Sequence, residues 1–317
     1  MPRQFTVLID FNRISSHDDL LAAMAPLDDL ERDDVLYLEI DLNGLGLIYP
    51  DLLLLLVARV EGLKKNRVEV SCSLVNLVSN SSRVNYASRI NFFDFLGINL
   101  EEGFVRRDGQ GRFIEISAFT ETNIYSVFDD IMRILMVNGV NEDMLVVLHF
   151  CLNEILDNTL NHSSPEFRYG AGTGFIIAQF FPTAREIRIM IADTGQGIHA
   201  ALTGHPNSRF RDLSEPEAVS RCIEKGVTNS LGLGFGLWAT SQMMVKNQGD
   251  FKIYSGSSCL RNGELLESPH WNGTINYLRI NTDIPVNHIE IFGEKSDQLD
   301  MFQEFKHSQF GNLENLW

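Results

Sequence analysis

The chain has 317 residues, of which 44% are hydrophobic and 21% charged, so disorder along its whole length is excluded and two domains are expected. Its 26 basic and 42 acidic side chains give a net charge of −16, which repels phosphate backbones and anionic lipids at long range. We therefore predict no nucleic-acid partner and no membrane attachment. The sequence has no export signal, and its four scattered cysteines form no CxxC pair, which favours a cytoplasmic protein with reduced thiols.

The first 105 residues alternate between strand and helix patterns. We predict strands at 5–11, 35–41 and 67–75, and helices at 18–24, 52–64 and 85–96. This alternation is typical of an α/β layer domain.

A polar turn at 106–111 marks the predicted boundary with a second zone, 106–285. We predict strands there at 113–119, 175–181, 186–192, 251–254 and 274–280, and helices at 123–138, 142–162 and 237–246. The stretch 199–231 is expected to be irregular. The tail, 286–317, has spaced apolar residues and forms either a docking helix or a partly disordered end.

The helix predicted at 142–162 has an unusual polar face. At about 100° per residue, Glu154, Asn158 and His162 share one side, with Asp157 and Asn161 beside them and leucines opposite. A carboxylate can take a proton from water, and an amide oxygen can coordinate a hard cation such as Mg²⁺. The alternative is a solvated helix face with an i,i+4 hydrogen bond.

Two glycine-rich segments and one threonine add to this pattern. The segment DTGQG at 193–197 follows a strand, so Asp193 is expected at a cavity rim where it can accept a hydrogen bond from an amine, although a plain β-turn would use the same residues. The segment GLGFG at 232–236 opens a helix, whose amino terminus suits a phosphate. Thr274 begins a strand, where its hydroxyl could meet the same ligand as Asp193, although taken alone a β-branched residue at the start of a strand has the same pattern. No GxxxxGK[ST] motif occurs, which excludes a P-loop.

The order of these four motifs resembles the GHKL ATPases, whose nucleotide-binding domain is the Bergerat fold shared by gyrase and the histidine-kinase ATP domains. The resemblance covers about 113–284 and implies an α/β sandwich that binds ATP with Mg²⁺. The Glu-x₃-Asn-x₃-His form is most similar to the anti-sigma-factor serine kinases.

The resemblance implies a role for each matching residue. Glu154 would be the general base, Asn158 the Mg²⁺ ligand, Asp193 the acid that reads the adenine amine, and Thr274 its supporting hydroxyl. The other ATP-binding positions that it implies are Asn161, His162, Gly195, Gly197, Thr228, Gly232, Gly234 and Gly236. The stretch 199–231 would be the ATP lid, and four of its cations are candidates for compensating phosphate charge: Arg209, Arg211, Arg221 and Lys225.

The first zone is similar to a STAS domain, the fold of anti-anti-sigma regulators. The matching features are the strand at 35–41, the Gly44/Gly46 turn, the helix at 52–64, the strand at 68–75 and the closing segment 92–98. STAS regulators carry a phosphoacceptor Ser just before the first long helix, whereas here 47–51 reads LIYPD. No Ser or Thr lies between Asp41 and Val70, so phosphorylation at that site is not expected. A generic α/β partner-binding layer is the alternative.

These patterns predict a STAS-like domain at 1–105, a GHKL domain at 106–285 and a tail at 286–317. We expect an ATPase or a serine/threonine protein kinase in a signalling pathway, with a protein partner on the STAS-like domain or tail and with homodimer formation left open. Two alternatives are a nucleotide-gated binding switch with little catalysis and an interaction protein with a degenerate pocket.

Overall fold

The computed structural model describes residues 2–43, 50–77, 81–163, 172–204, 208–228 and 234–293. They form a mixed α/β protein with one parallel three-stranded sheet and one antiparallel five-stranded sheet. Within these ranges, every helix is too short or too polar to cross a bilayer.

The N-terminal part builds the parallel sheet, with strand order β1-β2-β3. Its elements are β1 (Gln4–Asp10), α1 (His17–Met24), a 3₁₀ helix (Ala25–Asp29), β2 (Val35–Asp41), α2 (Pro50–Lys65), β3 (Glu69–Leu74), α3 (Ser82–Arg89) and α4 (Phe92–Leu96). The single helix predicted at 85–96 is wrong. Asn91 adopts a left-handed backbone with φ of 64°, which separates α3 from α4.

The second part builds the antiparallel sheet, with strand order β4-β5-β6-β8-β7. Its elements are β4 (Phe113–Phe119), α5 (Ile124–Val137), α6 (Glu142–His162), β5 (Gly174–Phe181), β6 (Glu186–Ala192), α7 (Gly197–Thr203), α8 (Glu215–Arg221), α9 (Gly236–Lys246), β7 (Asp250–Arg261), β8 (Glu264–Asn281) and α10 (His288–Phe292). Of the predicted tail, residues 286–293 fall within the described ranges, and they include α10.

Strands β7 and β8 are much longer than the segments predicted at 251–254 and 274–280. They form a hairpin closed by Asn262 and Gly263, whose φ values of 49° and 89° are both positive, as a tight primed turn requires. The prediction ended β7 too early because the polar, glycine-containing run at 255–258 lacks the apolar alternation of a strand. Its pairing with β8 shifts register on either side of Gly256.

The five-stranded sheet is covered on both faces. On β6, Ile187, Ile189 and Ile191 pack against the helices α5, α6 and α9, while Met190 and Ala192 face the N-terminal part. A strand buried on both faces needs apolar residues at consecutive positions, which explains the run EIRIMIA.

Helix α2 lies between the two sheets. All residues from 50 to 60 are buried, and the helix contacts β3 on one side and β5 and β6 on the other. A helix that is apolar on all sides is stable only when it is enclosed in this way. The predicted domains 1–105 and 106–285 therefore share one apolar core, in which α2 is the common layer.

A buried polar pair also joins the two parts. His17 Nε2 lies 2.7 Å from Asp51 Oδ2, and the imidazole packs edge-on against Tyr277 of β8 with ring centroids 5.0 Å apart. The side chains of His17 and Asp51 are each less than one-tenth exposed. The pair therefore connects α1, α2 and β8 within the interior.

Leu54→Ala is expected to lower the free energy of unfolding by about 2–5 kcal/mol, because it leaves a cavity between the sheets. Leu8→Ala is the matched control, since Leu8 is 51% exposed on β1, and it should change stability by less than about 0.5 kcal/mol. Urea denaturation of both variants measures the difference. Equal effects would contradict the enclosed position of α2.

Candidate functional site

A cavity lies between α6, the loop after β6, the start of α9, and β8. Ten of the twelve predicted site residues line it: Glu154, Asn158, Asn161, His162, Asp193, Gly197, Thr228, Gly234, Gly236 and Thr274. Gly195 lies beside the cavity in the same loop as Asp193, and Gly232 lies outside the described residues. Segments separated by more than a hundred residues in the chain therefore meet at one hollow.

Helix α6 presents its polar side to this cavity because its leucines are buried in the core. Leu148, Leu152 and Leu156 are fully buried, which sets the rotation of the helix and turns Glu154 and Asn158 toward the hollow. Burial and the neighbouring Asp157 raise the pKa of the Glu154 carboxyl above its ordinary value. A carboxylate with a raised pKa is better matched to taking a proton near neutral pH.

His162 is held at the end of α6 by Gln196 of the first glycine segment. Gln196 Nε2 lies 3.1 Å from His162 Nδ1, and the Gln196 backbone N–H donates to His162 O at 3.1 Å. Burial lowers the pKa of the imidazole, which favours the neutral ring. With the amide donating to Nδ1, the neutral ring carries its proton on Nε2.

Asp193 is buried where β6 ends. Its Oδ1 accepts a hydrogen bond from the Gly195 backbone N–H at 2.8 Å, and its carbonyl oxygen accepts one from Trp271 Nε1 at 2.9 Å. Desolvation raises the pKa of this carboxyl to about 7, although the backbone amides of Gly195 and Thr274 and the charge of Lys65 oppose the shift. The side chain is thus a fixed acceptor at the inner wall of the cavity.

The first glycine segment needs glycine for two different reasons. A Cβ on Gly195 would lie 2.4 Å from His162 O, so only glycine allows this loop to pack against the end of α6. Gly197 has φ of 72°, and a Cβ there would lie 2.7 Å from Ser255 Oγ. Ser255 Oγ in turn accepts from the Ile198 N–H at 2.9 Å and so holds the start of α7.

The second glycine segment packs tightly against α6. Gly236 begins α9, and a Cβ on it would lie 2.3 Å from Glu154 Cβ, so this close approach requires glycine. Gly234 has φ of 68°, and its carbonyl accepts from the Gly226 N–H at 2.9 Å. The amino terminus of α9 is therefore placed directly beside Glu154.

The stretch predicted to be irregular, 199–231, contains most of α7 and all of α8, so that prediction is wrong. Ser214 and Glu217 form a reciprocal capping box at the start of α8. Leu202, Ala218 and Val219 pack into the core, which stabilises helices too short to be stable alone. Helix α8 is further fixed to β7, because Glu215 Oε1 accepts from the Ser257 N–H at 2.6 Å.

The candidate lid cations differ in their surroundings. Arg221 pairs with Glu224 at 3.1 Å, and Arg209 Nη2 donates to Gly226 O at 2.7 Å. The Lys225 ammonium lies over the ring of Trp238, 4.7 Å from its centroid, just before the second glycine segment. None of the four candidates lines the cavity itself.

The residues of the cavity fit a magnesium ion that is shared with a ligand. Among the described ranges, no group of three or more His, Cys, Asp or Glu side chains could enclose a metal ion. Mg²⁺ commonly uses one or two protein oxygens together with phosphate oxygens and water, so such an enclosure is not needed. Asn158 supplies an amide oxygen on the cavity wall, one helical turn from Glu154.

Asn276 is a cavity residue that the sequence analysis missed. It lies two residues after Thr274 on β8, so both side chains point to the same face of the sheet. The alternation along β8 predicts that Asn276 shares the face of Thr274, but the burial of that face is decided by the segments that cover the sheet.

The first glycine segment also touches the N-terminal part of the protein. A Cβ on Gly62 of α2 would lie 2.8 Å from Thr194 Oγ1, so the Thr194 side chain packs directly against the helix backbone at Gly62. The loop that carries Asp193 is therefore packed between the cavity and α2.

Comparison with protein families, with curated proteins and with solved structures found no match for this chain. The fold and the cavity are consequently the basis for assigning a function.

Proposed function

We propose that this protein binds ATP with Mg²⁺ in the cavity and hydrolyses it, or transfers its γ-phosphate to a serine or threonine of a partner protein. The observation that supports this most strongly is the convergence of four separate segments on one hollow: the Glu154/Asn158 face, Asp193, the glycines Gly234 and Gly236 at the start of α9, and Thr274. Each supplies the chemistry that one part of the nucleotide requires.

Different groups on the cavity wall contact the adenine end and the phosphate end of the ligand. Asp193 accepts a hydrogen bond from the adenine amine, and Thr274 lies beside it on β8. The phosphates lie toward the amino terminus of α9, where the first backbone N–H groups of a helix and the helix dipole favour negative charge. His162 donates from Nε2 on the same side of the cavity as Asn158.

Glu154 is the general base in this proposal. Its carboxylate takes the proton from a water molecule, or from a partner hydroxyl, as that oxygen attacks the γ-phosphorus. Asn158 would hold the magnesium ion, which when bound offsets the charge of the phosphate oxygens. Gly236 allows α9 to approach Glu154 closely, so the base and the phosphate-binding helix end are positioned together.

We further propose that the fold of 106–285 is of the Bergerat type and that the N-terminal part is STAS-like and carries the partner-binding surface. The second candidate function, a nucleotide-gated binding switch, is favoured by the contact of Thr194 with α2. A shift of this loop on nucleotide binding would be transmitted to α2 and the parallel sheet.

The role of magnesium gives a test of the proposed function. ATP should raise the melting temperature of the wild type more strongly with Mg²⁺ than with EDTA, and Asn158→Ala should remove most of that difference. Asn153→Ala is the matched control, because Asn153 is on the same helix but contacts His149 at 3.1 Å and does not line the cavity. A wild type whose melting temperature is unaffected by ATP would contradict the proposal.

A further inference from the structure

Asn276 is a buried amide in an otherwise apolar part of the cavity wall. The side chain is 5% exposed, and its neighbours on the adjacent strands are Ile191 and Ile253. Ile275 and Tyr277, which alternate with it on β8, belong to the apolar core on the other face of the sheet. Asn276 therefore lies on the face of the sheet that lines the cavity, and the cavity provides the polar surroundings of its amide.

The amide is incompletely paired. Its Oδ1 is buried and has no hydrogen-bond partner among the described residues. Buried polar atoms are nearly always hydrogen-bonded, because leaving one unpaired costs its full desolvation free energy. An unpaired acceptor on a residue that lines a cavity indicates a ligand that donates to it.

We propose that Asn276 reads the base of the bound nucleotide and selects a 6-aminopurine over a 6-oxopurine. This inference rests on the proposed function, and it names a specificity residue within that site. An Asn side chain matches adenine at two points: Oδ1 accepts from the exocyclic amine, and Nδ2 donates to an adjacent ring nitrogen. The amine has two N–H groups, so Asp193 accepts from one and Asn276 from the other.

A 6-oxopurine is rejected at Asn276. Its carbonyl oxygen replaces the amine and brings an acceptor against Asn276 Oδ1. The ring N1–H of a 6-oxopurine can donate on the side of Asp193 but not to Asn276, so Asn276 Oδ1 would be buried without a donor, a loss that gives strong discrimination in closed sites.

The test compares ATP with inosine triphosphate, which carries an oxygen in place of the 6-amino group. Calorimetric titration of the full chain with each nucleotide and Mg²⁺ should show that the wild type prefers ATP. Asn276→Ala should weaken ATP binding by about tenfold or more and leave the affinity for inosine triphosphate nearly unchanged. The ratio of the two affinities should therefore fall. The melting temperature of the ligand-free variant should stay close to that of the wild type, because the substitution also removes an unpaired amide.

Asn272→Ala is the matched control on the same strand. Asn272 is exposed, and its Oδ1 lies 3.0 Å from His270 Nε2, away from the cavity. Unchanged ATP affinity in Asn276→Ala, or equal losses for both nucleotides, would overturn the specificity role and leave ATP binding intact. Failure of the wild type to bind either nucleotide would overturn both proposals.

Discussion

Glu154→Gln is expected to lower the rate of ATP hydrolysis by the full protein by about a hundredfold to ten-thousandfold, the range that a positioned general base contributes. Glutamine keeps the size of the side chain and its packing against Gly236, but it cannot take a proton. The affinity for ATP should stay within about threefold of the wild type, since the base acts on the attacking oxygen and not on the bound nucleotide. Phosphate release and calorimetric titration measure the two quantities separately.

Glu142→Gln provides the control for this substitution. Glu142 lies in the exposed first turn of the same helix and does not line the cavity, so turnover should be unchanged. A Glu154→Gln variant that retains full phosphate release would exclude Glu154 as the base. A wild type that binds ATP tightly without any turnover would favour the binding switch over the enzyme.

Asp193→Asn is expected to weaken ATP binding by about ten- to a hundredfold and to remove most of the ATP-induced rise in melting temperature. The substitution replaces one acceptor oxygen with an amide donor that faces the adenine amine. The remaining carbonyl oxygen can still accept from the Gly195 N–H, so the loop should keep its shape.

The same variant should be more stable than the wild type when no ligand is present. The folded pKa of Asp193 is about 7, above the value of 3.8 expected for the unfolded chain. Between about pH 4 and pH 7 the folded protein therefore binds more protons than the unfolded chain, so this carboxyl makes stability fall as the pH rises through that window. Above pH 7 the buried carboxyl is ionised and its full cost to the free energy of unfolding is present, so Asp193→Asn should stabilise the protein most there. The gain in stability should become smaller as the pH falls toward 4.

Thermal denaturation across pH 4 to 8 tests this expectation without any ligand. Asp129→Asn is the control, because Asp129 is exposed on α5. A variant that is less stable than the wild type at pH 8 would show that the ionised Asp193 stabilises the ligand-free fold, which contradicts its burial as the dominant cause of the raised pKa.

The predicted elements that were most accurate are those whose periodicity is strong and local. The strands at 35–41, 113–119 and 186–192 and the helix at 142–162 match the structure at both ends. In each, the spacing of apolar residues follows directly from the backbone repeat of a strand or helix. The same periodicity placed Glu154, Asn158 and His162 on one face of α6.

The errors concern elements whose stability comes from distant contacts. Helices α7 and α8 are short and are stabilised by the packing of residues such as Leu202 and Val219. The local sequence pattern therefore did not predict them as helices. The hairpin of β7 and β8 contains the favourable Asn262-Gly263 turn, but the serine-rich bulge before it broke the alternation. Asn276 was missed for a related reason, since its burial depends on what covers the sheet.

The sequence alone determined on which side of each element the candidate site residues lie, because side-chain direction along a strand or helix is set by backbone geometry. Only the tertiary structure decided that α2 lies between two sheets, that Thr194 touches it, and that Asn276 Oδ1 has no partner among the described residues. These features depend on which surfaces meet across the fold, and that choice is made by the packing of segments far apart in the chain.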